Sequence, residues 1–308
     1  MEESLESIEE TSYDELPYEF RGEIDKLRSI LPIIKCCKIK SFMTFNILPS
    51  GFKLIAEDDS HSLQSSIFLQ KDLFKTYYLT DAVSQVFEVN IEEFLVIVEI
   101  LFPSENIESS RTFTLNVDQM FLTLKDHQLY FSVKNGHQQG RASLKTQDVI
   151  SNVRNISMQA VNRVVLDASV MVDFWNFVDL TSSFVYLTFG EEKISFGTKS
   201  QLAEAEFEIE SNSSHIEYFE CHQTQTQIYE MKTLKYTAPI TKRSSKMCLK
   251  MDSTGTLNIQ AFICLDSNPV PLDSSSFLNS QPAHRFPAPD QTCYVEYFVA
   301  PSIEESIF

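Results

Sequence analysis

The chain has 308 residues, 43% of them hydrophobic, with seven glycines and a formal net charge of −18. That leaves room for one large or two ordinary domains with real cores and excludes collagen-like or low-complexity architecture. No apolar run reaches the ~18 residues of a membrane helix, and the acidic N-terminus fits neither a secretory signal nor a transit peptide, so a soluble intracellular protein is expected.

Residues 1–19 carry eight acids and no bases, and 1–17 are expected to be a disordered tail. Helical spacing of apolar residues at 20, 24, 27 and 31 predicts a helix from Phe20 to Leu31, ended by Pro32, with Arg21 and Arg28 together on another face. Strands are expected at 38–47 and 52–57. Asp58-Asp59-Ser60-His61 holds triad ingredients but reads as a polar turn. A strand at 65–69 feeds a short helix, 70–77, with Lys71 and Lys75 one turn apart. A strand around Phe87 and Val89 precedes a buried helix, 92–102. Further strands are expected at 111–117, 119–125, 128–134 and, as an edge, 140–145.

Residues 146–158 lack a clean period and mark a connector. The pattern then restarts with a strand (161–166), a helix (168–178) striped by Met171, Phe174, Trp175 and Val178, and strands at 183–189, 193–197 and 203–210. A polar strand, 221–229, leads into a lysine-bearing helix, 231–240. A hairpin follows, in which Met247, Leu249 and Met251, then Leu257, Ile259, Ala261 and Ile263, alternate with polar residues. That alternation predicts one buried and one wet face. Two strand-rich stretches of like plan, near 140 residues apart, suggest two copies of one domain: 18–145 and 159–302, the second interrupted by a Pro/Ser-rich loop at 267–292.

Six of the 25 bases fall in 232–250, which has no acid: Lys232, Lys235, Lys242, Arg243, Lys246 and Lys250. An acidic protein with local basic helices can still face nucleic acid. The six cysteines (36, 37, 221, 248, 264, 293) form no Cys-x-x-Cys pair, and reduced thiols are expected, although 264 and 293 flank the last loop. Two-metal nuclease chemistry needs clustered acids, commonly an Asp-x-Glu start. Neither that nor His/Cys ligand spacing is present, so no cofactor or metal is expected.

Several stretches carry a resemblance. Tyr297-Phe298-Val299-Ala300-Pro301-Ser302-Ile303-Glu304-Glu305, Ala56-Glu57-Asp58-Asp59-Ser60-His61 and Val89-Asn90-Ile91 are similar to stretches of the PCNA sliding clamps. Phe219-Glu220-Cys221-His222-Gln223-Thr224-Gln225 and Cys293-Tyr294-Val295-Glu296-Tyr297 resemble the "Rad one" family of the heterotrimeric checkpoint clamp, nine-one-one.

The resemblance implies an α+β DNA clamp fold: two similar domains, each with two helices lining a ring hole and antiparallel sheets outside. It implies a non-catalytic nuclear protein that joins two other PCNA-like checkpoint subunits, encircles double-stranded DNA without reading sequence, and is loaded by a clamp loader. The lining helices would be those near Phe20, at 70–77, 168–178 and 231–240. Their bases (Arg21, Arg28, Lys71, Lys75, Lys232, Lys235, with Lys242 and Arg243 just beyond) would meet DNA, while 168–178 carries Asp173 and no base. Ring closure would pair the 140–145 strand with a neighbour's 203–210 strand, through Ala203, Ala205, Phe207 and Ile209. Partners would dock near Val149, Ile150, Phe298 and Ala300, although Glu57 and Ser62 replace apolar residues of processivity clamps there. The competing readings are a homotrimeric replication clamp and a 3′→5′ exonuclease.

Overall fold

The structure, a computed structural model, describes residues 18–24, 27–101, 120–135, 138–149, 153–178, 181–200, 204–265 and 292–302. The acidic tail, the expected 111–117 strand, nearly all of the Pro/Ser-rich loop and residues 303–308 lie outside them.

The first half runs β1 (Phe20–Ile24), α1 (Leu27–Cys36), β2 (Phe42–Leu48), β3 (Gly51–Glu57), β4 (Leu63–Gln70), β5 (Phe74–Leu79), β6 (Gln85–Asn90), α2 (Ile91–Leu101), β7 (Met120–Lys125), β8 (Gln128–Asn135) and β9 (Gln138–Lys145). The second runs β10 (Ala160–Asp167), α3 (Ala168–Phe177), β11 (Phe184–Phe189), β12 (Lys193–Lys199), β13 (Glu204–Glu210), β14 (Ile216–Cys221), β15 (Gln225–Glu230), α4 (Met231–Leu234), α5 (Ala238–Thr241), β16 (Lys246–Asp252), β17 (Leu257–Cys264) and β18 (Thr292–Val299).

The strands form three antiparallel sheets in the orders β5-β1-β7-β8-β9, β14-β10-β16-β17-β18-β4-β3-β2-β6 and β13-β12-β11-β15. Moving nine strands along the chain turns the first sheet into the first five strands of the second. The same move turns β4-β3-β2-β6 into the third sheet. The pairing scheme of the first half is therefore repeated in the second. The two halves are welded where β18 pairs with β4, Val295 opposite Ile67 and Tyr297 opposite Ser65.

Local chemistry explains the elements. Asp126 and His127 both have positive φ, which suits a two-residue hairpin turn between β7 and β8. Asn90 caps α2: its Oδ1 accepts from the backbone N–H groups of Glu92 (3.0 Å) and Glu93 (3.2 Å). Gly255 ends the turn after β16 at φ 84, where a Cβ would meet the Gln227 side chain at 2.5 Å. The aromatic core of the first half links Phe45 to Phe52, Phe87 and Phe94, and that of the second stacks Phe174 on Phe196 at 4.8 Å.

Several expectations are corrected. The helix does not begin at Phe20: residues 20–24 are strand, and the helix runs from Leu27 through Pro32 to Cys36. Phe20 and Ile24 bury as strand neighbours in β1, while Leu27, Ile30, Ile33 and Ile34 bury from α1, and that packing offsets the missing proline N–H. Residues 70–77 form no helix; Lys71–Leu73 is one 3-10 turn, and Phe74–Leu79, aromatic and β-prone, pairs with β1. The 92–102 helix is α2, only half-buried, with Val96 and Ile100 exposed. The polar strand at 221–229 is two strands, because Asn162 Oδ1 accepts from the N–H groups of His222 and Gln223 and bends the chain between β14 and β15.

The hairpin pairs as expected, Leu249 opposite Ile259, and its seven apolar side chains are buried. Its other face is not wet. Cys248, Lys250, Asn258 and Phe262 are buried too, because Tyr218 and Tyr294 from flanking strands pack over Val165, Cys248 and Phe262.

Candidate nucleic-acid interface

Helices α1, α3 and α5 pack together, bringing a helix of the first half against two of the second. Between them opens a cleft of about 1160 Å³, lined by Lys35, Cys36 and Lys38 at the end of α1, Trp175 and Asn176 of α3, and Lys232, Lys235, Tyr236, Pro239, Lys242 and Arg243. The α4–α5 stretch follows from its sequence. Met231, Leu234 and Ile240 are buried, leaving the lysines outward. Pro239 cannot donate within a continuous helix, and Lys235–Thr237 accordingly forms a 3-10 turn. Thr237 and Thr241 hydroxyls donate back to the Leu234 and Ala238 carbonyls, each at 2.8 Å.

The charges are not equivalent. Lys35 pairs with Glu99 of α2, and Lys38 with Glu92 at 2.6 Å. Lys232 reaches Glu230 at 3.0 Å. Among the described residues, Lys235, Lys242 and Arg243 of the cleft have no carboxylate partner and are its cations most available to a phosphate. Burial pushes the Cys36 thiol up, against the pull of the Arg243 guanidinium beside it. Among the described residues the buried Trp175 indole N–H meets no acceptor.

The structure thus gathers Lys232, Lys235, Lys242 and Arg243 and scatters the other expected bases. Arg21 lies on β1, its guanidinium 5.9 Å from the Tyr18 ring and 5.8 Å from Phe121. Lys71 is in the 3-10 turn, and Lys75 on β5 reaches Glu23 at 3.1 Å. Arg28 is on α1, but its side chain lies outside the description. Lys246 and Lys250 belong to the sheet, Lys246 paired with Glu217 and Lys250 buried, which depresses its ammonium pKa. Sequence reasoning missed Lys35 and Lys38, because it stopped the helix at Pro32. α2 replaces 70–77 as the second helix of the first half. It carries Glu92, Glu93 and Glu99 and no base.

Of the edge residues, Ala205, Phe207 and Ile209 lie on β13 at a sheet edge, and β9 is another edge; Ala203 lies outside the described residues. Of the groove residues, Phe298 is on β18, with Ala300 just after it. Val149 follows the bridge of Gln147 to Glu88 on β6, four places from β18 in the sheet, and Ile150 lies outside the description.

Between them the connector is latched. Arg154 donates through Nε to Glu57 Oε1 (2.5 Å) and through a second nitrogen to the His61 carbonyl (2.5 Å). Gln64, opposite Phe298, donates to the Arg154 carbonyl (3.0 Å). Burial works against the Glu57 carboxylate, but hydrogen bonds from His61 and Arg154 hold its pKa below the usual range. The 58–61 segment is a polar turn. Asp58 accepts from the Leu63 N–H (2.8 Å) and from the Ser60 and Ser62 hydroxyls. Among the described residues Cys36, Cys37, Cys221, Cys248 and Cys293 are free thiols, and Cys293 sits opposite Ile263.

This architecture is shared with solved clamps. The proliferating cellular nuclear antigen of Entamoeba histolytica superposes with a TM-score of 0.66 at 12% identity, over 93% of this chain and 100% of that one. The PCNA2–PCNA3 complex of Sulfolobus tokodaii gives 0.66 at 13% identity, over 91% and 98%. The cell cycle checkpoint protein RAD1 of Mus musculus is 21% identical over 96% of this chain and 97% of its own length. The Homo sapiens protein of that name is 21% identical over 93% of each. The family model for the repair protein Rad1/Rec1/Rad17 matches residues 19–263, and the chain belongs to that family.

Proposed function

We propose that this chain is a non-catalytic subunit of a checkpoint clamp: one of three clamp-like chains that close a ring around duplex DNA in the nucleus, placed there by a clamp loader. Residues 18–145 and 159–302 would be its two clamp domains, joined by the 146–158 connector. The partner groove would be completed by Val149, Ile150, Phe298 and Ala300.

One observation carries the ring. Among the described residues six strands end the three sheets; β5 and β14 are images of each other under the repeat, and so are β6 and β15. The remaining ends, β9 and β13, are images of β18 and β4, which are paired. Repeating the internal weld between chains joins β9 of one to β13 of the next, head to tail, and such contacts close into rings. The α1–α3–α5 cleft supplies cations for phosphates, the kind of contact that positions a protein on DNA without reading sequence. Each neutralised phosphate changes log affinity by roughly −0.9 per log unit of salt, so a few contacts bind weakly and enclosure does the holding.

Co-expression with two clamp-like checkpoint chains of the same organism should give a one-to-one-to-one complex. A stable homotrimer of this chain alone would instead favour a replication clamp. Failure to join such partners would overturn the proposal. Metal-dependent DNA degradation abolished by changing one carboxylate would establish an exonuclease.

A further inference from the structure

The internal weld also specifies what kind of strand meets the β13 edge. Core positions align the two halves: Phe52 and Leu54 of β3 match Ile194 and Phe196 of β12, so their partners Leu69 and Ile67 match Ile209 and Phe207 of β13. Leu129 and Phe131 of β8 likewise match Leu257 and Ile259 of β17. Their partners Leu144 and Ala142 of β9 therefore match Val299 and Tyr297 of β18. Carrying the β18–β4 register across places position 142 of β9 opposite 205, 141 opposite 206, 140 opposite 207 and 139 opposite 208.

In the weld, the outward row is nearly uncharged. Tyr294 faces Phe68 with rings 5.7 Å apart, Glu296 faces Ser66 and Phe298 faces Gln64. On β13 the same row is Glu204, Glu206, Glu208 and Glu210, all exposed; against these four acids β12 sets two lysines, Lys199 opposite Glu204 and Lys193 opposite Glu210, and Lys193 ion-pairs with Glu208. This chain's own β9 sets Ser143, Arg141 and Gln139 opposite Glu204, Glu206 and Glu208, with Lys145 one pair beyond Glu204: two bases against a row of four acids. Opposite charges across strands attract and uncompensated like charges repel.

Resting on the ring reading above, we infer that β13 receives an edge strand of a different clamp-like chain, bearing Lys or Arg opposite Glu204, Glu206 and Glu210. The acidic row acts as the discriminator that keeps a second copy of this chain from taking that place. The inward row keeps the seam apolar, Ala205 and Phe207 half-buried in the free chain and Ile209 already buried.

The test uses the full chain co-expressed with its two clamp-like partners. The triple variant Glu204→Lys, Glu206→Lys, Glu210→Lys should lose one partner, by about tenfold or more in affinity, and keep the other. The retained partner reports that the variant is folded. The Gln triple should weaken the same contact less, and in the wild-type complex that contact should be the more salt-sensitive of the two. A reversed variant that keeps both partners with unchanged affinity and salt dependence overturns the inference alone. So does a wild-type chain that closes into a homotrimer with its own β9 on β13. A wild-type chain that joins no clamp-like partner overturns the ring reading, and the inference falls with it.

Discussion

The two halves share a topology and differ in what their helices carry. The second half presents Lys232, Lys235, Lys242 and Arg243 around its short helical stretch, without a carboxylate among them. The matching helix of the first half, α2, presents Glu92, Glu93 and Glu99, with Val96 and Ile100 bare between them. Two of those acids are spent on Lys35 and Lys38 of α1, so the first half partly neutralises the cations it brings to the cleft. Pairing pattern and core fix where a helix lies, and its outer face is then free to take either charge. The basic surface is thus concentrated where the halves meet.

The strongest way to break this comparison is to ask whether the halves are one folding unit. Phe94→Ala on α2 and Phe174→Ala on α3 remove buried rings and should each cost roughly 3–5 kcal/mol. Trp175, the one tryptophan, sits in the second half. If β18–β4 couples the halves, Phe94→Ala shifts the Trp175 fluorescence transition in urea as far as the circular-dichroism transition. Two separated transitions would show independent halves.

Next comes charge. Reversing Lys232, Lys235, Lys242 and Arg243 to Glu should abolish most DNA affinity of the purified protein and lower the salt slope by roughly 2–3, at about 0.9 per phosphate contact. Glu92→Gln with Glu99→Gln should act the opposite way, releasing Lys38 and Lys35 and steepening the slope by up to roughly 2. Equal slopes for both variants would mean that α2 does not mask α1.

A smaller effect is expected at the latch between the halves. Glu57→Gln removes the charge and one of the two oxygens that accept from Arg154 and His61 and should cost about 1–3 kcal/mol. The folded-state pKa of Glu57 is lowered, so its contribution is present above the unfolded carboxylate value near pH ~4.3 and is lost as pH falls through the folded value. Wild type and variant should therefore converge in urea stability toward about pH 3. A gap that persists there points to packing rather than charge. The smallest effect belongs to Lys71→Glu with Lys75→Glu, which lie off the cleft and should change DNA affinity by less than about threefold. A change as large as the cleft reversal would place DNA elsewhere.

The second half was the more legible in sequence. β10, α3 and the β16–β17 hairpin announce themselves by clean periods, and Met247, Leu249 and Met251 fall on the buried face as the alternation requires. The first half misleads because its elements are short. Five residues of β1 alternate Phe20, Gly22 and Ile24 with Arg21 and Glu23, yet Phe20 and Ile24 also fit a helical spacing with Leu27 and Leu31. Pro32 then argues for an end that tertiary packing overrides. The cleft was half-legible: the bases after 231 form one run, but Lys35 and Lys38 join them only through the packing of α1 on α5. The second buried face of the hairpin depends on Tyr218 and Tyr294, supplied by strands far along the chain, and no local pattern encodes that.

The β18–β4 weld has a bearing on synthesis. The strand that joins the halves is made after every other described strand, while its partner β4 is made early. Until Val299 emerges, β4 and β17 both expose unpaired backbone, the kind of edge that recruits stray strands. A message cut short before Thr292 would yield a chain holding nearly every element of the fold and two permanent sticky edges. Such a product should be found with chaperones or in aggregates rather than in rings.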